Sequence, residues 1–542
     1  MIKSLIAKMT LREKIGQTGM PGPGVVSKGV LECGGYGEFF RKYPYTGMYV
    51  LKSCMHDADG HVFSSPEEAA QIYKKASESV KIPLLFSCDN ERGAYGLFHD
   101  LHIIASNMLL GAAQTEELTY KRSYYYAREL KRCGVNWSFS PVLDLITNFF
   151  SCSGVRCFSD DPSKIIPLVP AIIRGFHDAG IAACAKHFPG NAGSEYRDSH
   201  ISNTSNRATL ARWKERCEGI WREAVVCGAD AFMTSHVTFP AVEPGRASNG
   251  KYIPSSASKN VIDLLRKDLN FDGVVITDDC GMKSLASAYT RPEVYINCFN
   301  AGNDIVLFCR NDYIDVMEQA VKDGKVSEEQ IDRSVERILK LKQKLGLFDG
   351  IKVEPPLTEE ENREFDAVNY EIAKKGITLV TNHSGAIPFD PKKVKNAAII
   401  NLSPDPRFIE QMQALVDAFG EYGIKARIHE GLRSKEELRD IDEQNDMIIY
   451  SCLLKTGFQG LPWFSRVEDF NTLFHCLSYG AKKSVVVSFN APSIYYNYFE
   501  DVGTYINAYS NDAGTMKAFV DGILGKFPFT GTSPVALTPE FK

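Results

Sequence analysis

The sequence predicts an α/β protein in which a (β/α)8-type, TIM-like barrel is followed by a second, smaller α/β domain. Two observations lead to this fold class. Short apolar runs alternate with amphipathic helical stretches over the first two thirds of the chain, and the alternation resumes after a polar segment near residue 350. The length of 542 residues suits a large barrel with a companion domain.

Seven apolar runs in the first part of the chain are the predicted strands of the barrel. They are TGMYVLK (46–52), IPLLFSCD (82–89), NWSFSPVLD (136–144), IAACAKHF (181–188), DAFMTSHV (230–237), DGVVITDD (272–279) and DIVLFC (304–309). Helical segments lie between them, including 66–80, 119–133, 163–179 and 207–227. Strand, helix and strand at this spacing indicate parallel strands with crossover helices, and seven or eight such units favour a (β/α)8 barrel.

Two helix signals bound the barrel. Thr10 and Glu13 have the spacing of a capping box near the start of the chain. Ser327 and Gln330 open the helix that is predicted to close the domain. We therefore place the barrel at residues 1–349.

A linker and a second domain are predicted after the barrel. The linker, residues 350–368, is polar and contains two prolines and a run of acidic residues. The second domain, residues 369–542, contains a further set of apolar runs: ITLVTN (377–382), NAAIINL (396–402), DMIIYS (446–451), SVVVSF (484–489) and TYINAYS (504–510). These predict an α/β domain of five or six strands, and no Gly-rich phosphate-binding motif follows them.

Composition and charge argue against several classes of partner. The net charge of -5 gives no broad basic face, so we expect no nucleic-acid partner. No run approaches the roughly 20 apolar residues that a membrane helix needs, and the N-terminus lacks the apolar core of a signal peptide. The 14 cysteines form no CxxC pair and several lie in apolar runs. We therefore expect a cytoplasmic protein with reduced thiols, no metal and no cofactor.

Polar and reactive side chains occupy the ends of five predicted strands. They are Asp89, Asp144, Lys186 with His187, Ser235 with His236, and Asp278 with Asp279. Any one of these can be a helix cap or part of a buried ion pair. Because barrel enzymes build their sites at the carboxyl ends of the strands, five ends of this kind predict an active site.

Four stretches together resemble glycoside hydrolase family 3. They are KHFPG (186–190), DSH (198–200), LRKDLNFDGVVITDDCGM (265–282) and NWSFSPVLDL (136–145). The resemblance covers nearly the whole chain and is strongest to the two-domain form of the bacterial β-N-acetylglucosaminidases. It implies a (β/α)8-like barrel followed by an α/β sandwich domain. It also implies a retaining hydrolase that releases a terminal β-linked sugar, foremost a β-N-acetylhexosaminide, through a covalent glycosyl-aspartate.

The resemblance implies that Asp278 is the nucleophile and that His200, oriented by Asp198, is the acid/base. Successive residues of a strand point to opposite sides, so only one of Asp278 and Asp279 faces the sugar, and Asp279 is expected to support the following loop. In an extended segment, Asp198 and His200 project to the same side. The carboxylate can then accept a hydrogen bond from one ring nitrogen, while the other handles the glycosidic proton.

The resemblance also implies a substrate-binding set. Asp89, Lys186, His187 and Arg156 are expected to bind sugar hydroxyls, and His236, with Ser235, to line or support the pocket. For Arg156, a salt bridge to a nearby aspartate is the structural alternative.

Two loops depart from the usual family pattern. NAGSEYR (191–197) is one residue longer than the corresponding family loop and lacks its His-Gly and Asp-Thr pairs. Glu195 within it is a spare acid that can in principle take over proton transfer. DNERGAYGL (89–97) has Arg92 in place of a glycine and Leu97 where an arginine is usual. These differences predict a leaving group or sugar substituent unlike the common cell-wall fragment.

Three other functions remain open from the sequence. A β-glycoside phosphorylase fits because a histidine acid/base does not repel phosphate, and Arg92 or Arg197 would help to bind that anion. A β-glucosidase would use an acid from the second domain, for which Glu468 is the candidate. A non-catalytic sugar-binding protein is the third. In each case the expected partner is a small carbohydrate. A homodimer is also possible from the sequence, with the second domain providing its contacts.

Overall fold

In the computed structural model, the chain divides into two units. The first contains residues 1–102, 123–145 and 169–358, and the second contains residues 103–122, 146–168 and 359–542. The structure describes residues 1–149, 151, 153–191, 195, 197–403, 405, 407–430, 434–454, 472–474 and 482–539. The second unit thus takes in two segments from the region predicted as barrel. The last division falls inside the predicted linker, and the boundaries 1–349, 350–368 and 369–542 stay a prediction.

The strands of the first unit are β1 (Gly19–Pro21), β2 (Gly47–Tyr49), β3 (Leu85–Cys88), β4 (Trp137–Ser138), β5 (Ala182–Phe188), β6 (Ala231–Thr234), β7 (Val274–Thr277) and β8 (Val306–Cys309). Strands β2 to β7 form one parallel sheet in chain order, and β1 pairs in parallel with β8. Hydrogen bonds from Thr46 N to Gly19 O (3.2 Å) and from Thr277 N to Ile305 O (3.1 Å) link the two sheets. The predicted (β/α)8-like barrel is therefore confirmed.

The helices among the described residues alternate with the strands. In chain order they are α1 (Ile2–Ile6), α2 (Leu11–Gln17), α3 (Pro23–Cys33), α4 (Tyr36–Lys42), α5 (Pro66–Glu78), α6 (Asn107–Ala113), α7 (Glu116–Arg132), α8 (Val169–Asp178), α9 (Leu210–Trp213), α10 (Gly219–Val226), α11 (Lys259–Asp263), α12 (Lys283–Ala286), α13 (Arg291–Ala301), α14 (Tyr313–Lys322), α15 (Glu328–Lys344), α16 (Glu359–Gly376), α17 (Arg407–Gly420), α18 (Lys435–Gln444) and α19 (Ala513–Ile523). Within the described ranges, every helix is too short or too polar to span a bilayer.

Local sequence explains where two of these helices begin. The predicted capping box of α2 is present, since Thr10 accepts from Glu13 N (3.2 Å) and Glu13 accepts from Thr10 N (2.8 Å). Ser327 caps α15 by accepting from Gln330 N (3.1 Å). Both predicted helix starts are confirmed.

The second unit is built on a six-stranded sheet. Its strands are β9 (Thr378–Asn382), β10 (Asn396–Asn401), β11 (Lys425–His429), β12 (Met447–Cys452), β13 (Ser484–Ser488) and β14 (Thr504–Asn507). Their order is β11-β10-β12-β13-β14-β9, and all neighbours are parallel except β9 and β14. The smaller α/β domain of five or six strands is thus confirmed. Strand β11 was not predicted, because this edge strand alternates polar and apolar residues and has no continuous apolar run.

A buried lysine lies in the first unit, on the inner side of α15. Lys342 is fully buried, and its Nζ donates to Gln17 Oε1 (2.7 Å) and to the Thr46 carbonyl oxygen (2.9 Å). Burial lowers the pKa of Lys342 well below its ordinary value. In the unfolded chain Lys342 is protonated below about pH 10.4, whereas in the folded chain burial disfavours its protonation. Lys342 therefore destabilises the fold increasingly as the pH falls.

We expect Lys342→Met to change how the thermal midpoint depends on pH. As the pH drops from 9.5 to 6.5, the free energy of unfolding of the wild type falls relative to that of the variant by up to about 1.4 kcal/mol per pH unit. The thermal midpoint of the wild type falls relative to that of the variant accordingly. Scanning calorimetry at several pH values measures this gap. Lys340→Met is the matched control, since Lys340 lies on the same helix with its side chain 56% exposed. We expect the difference in thermal midpoint between the wild type and this control to be independent of pH. A constant gap for Lys342→Met would contradict the prediction.

Candidate active site

The site lies at the carboxyl ends of β3 to β7. Asp89 follows β3, Lys186 and His187 lie near the end of β5, and Asp278 follows β7. These strands are neighbours in one parallel sheet. Because parallel strands end at the same edge, the fold brings these predicted residues together.

Lys186 lies between two carboxylates. Its side chain is 2% exposed, and its Nζ contacts Asp89 Oδ1 (2.5 Å) and Glu91 Oε1 (2.7 Å). Asp89 Oδ2 also accepts from the Tyr49 hydroxyl (2.8 Å), yet its side chain is 42% exposed. Burial and the Asp89 charge raise the pKa of Tyr49 well above its ordinary value, so the phenol remains a donor. Asp89 is thus held in place while one side faces solvent, as suits a group that binds hydroxyls.

Asp278 is held as an ionised carboxylate. Burial acts to raise its pKa, but the neighbouring His187 and His236 rings, a hydrogen bond from Asp279 N (2.8 Å) and the charge of Lys186 outweigh burial and lower it. His187 Nε2 lies 4.0 Å from Asp278 Oδ2, and its Nδ1 is 2.6 Å from Asp144 Oδ2. An ionised, rigidly held carboxylate at a strand end has the properties that a nucleophile needs.

Asp279 and His236 support the turn that carries Asp278. Asp279 Oδ1 accepts from Gly281 N (2.7 Å), and its carbonyl oxygen accepts from His236 Nε2 (2.8 Å). Burial raises the pKa of Asp279. His236 is fully buried, its Nδ1 meets the Ser256 hydroxyl (2.7 Å), and burial lowers its pKa. Protein groups engage both ring nitrogens of His236, and its predicted role in lining or supporting the pocket stays a prediction.

Asp198 and His200 are paired, but by a turn rather than by an extended segment. Asp198 Oδ1 accepts from both His200 N (2.9 Å) and His200 Nδ1 (2.6 Å). The predicted extended geometry is wrong, since Ser202 N bonds back to Asp198 O (2.9 Å) and closes the turn. The pairing itself is as predicted, with His200 34% exposed.

The loop carrying this pair is attached to the chain just beyond Asp278. Lys283 N, at the start of α12, donates to His200 O (3.0 Å), and the Ser284 hydroxyl donates to Ser199 O (2.6 Å). The imidazole of His200 and the carboxylate of Asp278 are therefore carried by loops that are hydrogen-bonded to each other.

Glu195 anchors the longer loop through an ion pair. Arg197 Nε and Nη2 contact its two oxygens at 2.9 and 2.7 Å, and Ser205 N donates to Oε2 (3.0 Å). Burial acts to raise the pKa of Glu195, but these bonds from Arg197 lower it. A carboxylate kept ionised in this way is a poor proton donor. The rest of the longer loop, residues 192–194 and 196, lies outside the described residues.

Two tryptophans fix the KHFPG segment. Both indole nitrogens, Trp213 Nε1 (2.8 Å) and Trp221 Nε1 (2.9 Å), donate to Pro189 O. Gly190 follows with φ +75°, and a Cβ there would lie 3.1 Å from the Trp221 ring. Sequence reasoning missed this anchor, because nothing in the tryptophans' own helices points to residue 189.

Arg156 and Glu468 are the remaining predicted residues. Arg156 belongs to the second unit, on a short 3-10 turn (Gly154–Arg156) whose last carbonyl accepts from Asn107 Nδ2 (2.8 Å). Its role in sugar binding stays a prediction. Glu468 lies outside the described residues.

A comparison of the sequence with models of protein families identifies the family of this chain. Residues 57–341, more than half of the chain, match the model of the glycosyl hydrolase family 3 N-terminal domain. The chain belongs to glycosyl hydrolase family 3. The predicted family and enzyme class are thereby confirmed, and the matched region contains every strand end that forms the site.

Three similar proteins carry glycosidase names. A β-N-acetylglucosaminidase/β-glucosidase of Cellulomonas fimi is 28% identical over 491 residues, covering 86% of each chain. A β-hexosaminidase of Stenotrophomonas maltophilia is 30% identical over 267 residues, 48% of this chain and 77% of that protein. Among solved structures, a family 3 β-N-acetylglucosaminidase from Paenibacillus sp. has a TM-score of 0.83 at 27% identity, covering 98% of this chain and 100% of that one.

A β-glucoside phosphorylase shares the fold. Its TM-score is 0.81 at 23% identity, and the match covers 99% of this chain and 96% of the other. At this identity the likeness concerns the fold alone. These matches agree with a barrel followed by an α/β sandwich domain.

Proposed function

We propose that this family 3 enzyme is a retaining glycoside hydrolase that releases a terminal β-linked sugar, with a β-N-acetylhexosaminide as its preferred substrate. One observation carries the proposal. The ionised Asp278 carboxylate lies on a turn whose next residues are hydrogen-bonded to the Asp198–His200 loop. This arrangement supports a nucleophile and a proton donor on neighbouring loops, as retaining hydrolysis requires.

The reaction proceeds in two displacements. In the first, an oxygen of Asp278 attacks the anomeric carbon, the bond to the aglycone oxygen breaks, and His200 Nε2 gives that oxygen its proton. In the second, water attacks the same carbon, the bond to Asp278 breaks and its electron pair returns to the carboxylate, while His200 takes the water's proton. Asp198 fixes the ring through Nδ1 and stabilises the imidazolium.

The sugar is held by groups near the nucleophile. Asp89 accepts from hydroxyls on the far side of the ring, and Lys186, which is balanced by Asp89 and Glu91, donates to a neighbouring hydroxyl. The C2 acetamido group is proposed because relatives over most of the chain and over the barrel are named as β-N-acetylglucosaminidase and β-hexosaminidase.

A β-glycoside phosphorylase is the second candidate function. The favouring observation is that the proton donor on the loop is an imidazole, while the neighbouring carboxylate of Glu195 is neutralised by Arg197. An incoming phosphate therefore meets less negative charge than it would beside a glutamate donor.

A panel of nitrophenyl glycosides, assayed with and without phosphate, tests both proposals. We expect the N-acetylglucosaminide to be turned over fastest, ahead of the N-acetylgalactosaminide, glucoside and xyloside. Product analysis then shows free sugar, and phosphate leaves the rate unchanged. A rate that rises with phosphate, together with a sugar 1-phosphate, would replace hydrolysis by phosphorolysis. A faster glucoside would overturn the acetamido preference alone.

A further inference from the structure

Asp144 has no part in the reaction described above, yet it contacts the site. It lies in the segment after β4, and its Oδ2 accepts from His187 Nδ1 (2.6 Å) and from His187 N (3.3 Å). The side chains of His187 and Asp144 are only 16% and 17% exposed. Two hydrogen bonds to one carboxylate oxygen therefore clamp both the ring and the backbone of His187.

This contact decides which ring nitrogen carries the hydrogen. An ionised carboxylate can only accept, so the hydrogen of a neutral His187 sits on Nδ1 and Nε2 presents a lone pair. Nε2 lies 4.0 Å from Asp278 Oδ2, which is too long for a hydrogen bond. Nε2 therefore lies beside the nucleophile, on the side where the carbon next to the anomeric carbon is placed once Asp278 attacks.

We propose that Asp144 is a positioning residue that fixes the Nδ1–H form of His187 and aims Nε2 at the C2 substituent of the sugar. Nε2 then accepts a hydrogen bond from the acetamido N–H or from a hydroxyl at C2. The proposal rests on the proposed function, since it places the anomeric carbon beside Asp278. It makes the Asp144–His187 pair a determinant of selectivity at C2.

Asp144→Asn tests the proposal with three aryl glycosides that differ only at C2. The amide can donate to Nδ1, which favours the other tautomer and turns Nε2 from an acceptor into a donor. We expect kcat/KM to fall by about 10-fold for the 2-acetamido sugar, whose N–H cannot reverse its role. The loss is smaller for the 2-hydroxy sugar, whose hydroxyl can turn to accept, and negligible for the 2-deoxy sugar. Equal losses for all three sugars would overturn the proposal.

Asp230→Asn is the matched control. Asp230 Oδ2 also pairs with a histidine, His177 Nε2 at 2.8 Å, but it precedes β6 at the other end of the strands. We expect its substitution to lower the thermal midpoint while the ranking of the three sugars stays as in the wild type. A changed ranking here would show that general loosening of the barrel produces the effect, and would count against Asp144.

A double-variant cycle shows whether Asp144 acts through His187. In the His187→Gln background, adding Asp144→Asn should cause no further change in C2 selectivity, because the ring that it orients is gone. If Asp144→Asn alone does not fold, His187→Gln alone must still lose the preference for donors at C2. A preserved preference in that variant would overturn the proposal.

A trapping experiment separates this inference from the proposed function. A 2-fluoro glycoside should label Asp278 in both the wild type and Asp144→Asn. If neither is labelled, the retaining mechanism fails. If both are labelled while all C2 sugars lose equally, the mechanism stands and only the positioning role of Asp144 fails.

Discussion

Asp278→Asn should lower kcat by about 10⁴-fold or more, the scale on which removal of a covalent nucleophile acts. The amide keeps the shape of the carboxylate and can still accept from Asp279 N, so the turn should keep its structure. What is lost is the negative charge that attacks the anomeric carbon, and the neighbouring carboxylate of Asp279 is engaged by Gly281 N within the turn. Steady-state kinetics and mass spectrometry after treatment with a 2-fluoro glycoside measure both consequences.

Asp279→Asn is the control at the adjacent position. Asp279 caps the turn through Gly281 N and contacts His236 through its carbonyl oxygen, which the substitution leaves in place. We expect a loss of about 10-fold or less, because only one hydrogen bond within the turn is weakened. A covalent adduct on Asp279, or none on either residue of the wild type, would show that Asp278 is not the nucleophile. In the second case a non-catalytic sugar-binding protein becomes the better description.

The sequence predicted those parts of the fold that leave a continuous pattern. Strands such as 182–188 and 274–277 are buried apolar runs, and their alternation with helices indicates a parallel barrel. Strand β1, Gly19–Pro21, was missed because its three residues, Gly-Met-Pro, form no apolar run. The inclusion of 103–122 and 146–168 in the second unit was also missed, because it depends on long-range packing that no local pattern records.

For the site, the spacing of residues in the sequence predicted which side chains pair, but it did not predict the backbone geometry that pairs them. The Asp198–His200 pair was predicted from their separation of two residues, although a turn and not a strand brings them together. Contacts between distant segments gave no signal. Glu91 as the second partner of Lys186, and Asp144 as the partner of His187, became visible only once neighbouring strand ends were placed side by side.

His200→Ala should distinguish substrates by their leaving groups. For an aglycone that leaves as an alkoxide we expect a loss of about 10²- to 10⁴-fold in kcat/KM, because the departing oxygen receives no proton. For a dinitrophenyl glycoside, whose leaving group needs no proton, the loss in kcat/KM should be less than about 10-fold. In that variant the second displacement is slow, since no base activates water, and the glycosyl-enzyme accumulates. A plot of log kcat/KM against the pKa of the leaving phenol measures the effect as a steeper slope than in the wild type.

Azide and Glu195→Gln complete this test. Azide attacks without giving up a proton, so it should restore turnover of the dinitrophenyl glycoside by His200→Ala and yield a β-glycosyl azide, as expected when the missing group is the base for water. Glu195→Gln loosens the loop by weakening the contact with Arg197 but leaves the imidazole in place, so its leaving-group slope should match the wild type. If the slopes are reversed, Glu195 is the proton donor and the Asp198–His200 pair has another role. A β-glycosyl azide from His200→Ala would show that azide attacks the covalent sugar on the face opposite Asp278, where the missing base acts. The two loops of this barrel then carry the nucleophile and the base on opposite faces of the sugar.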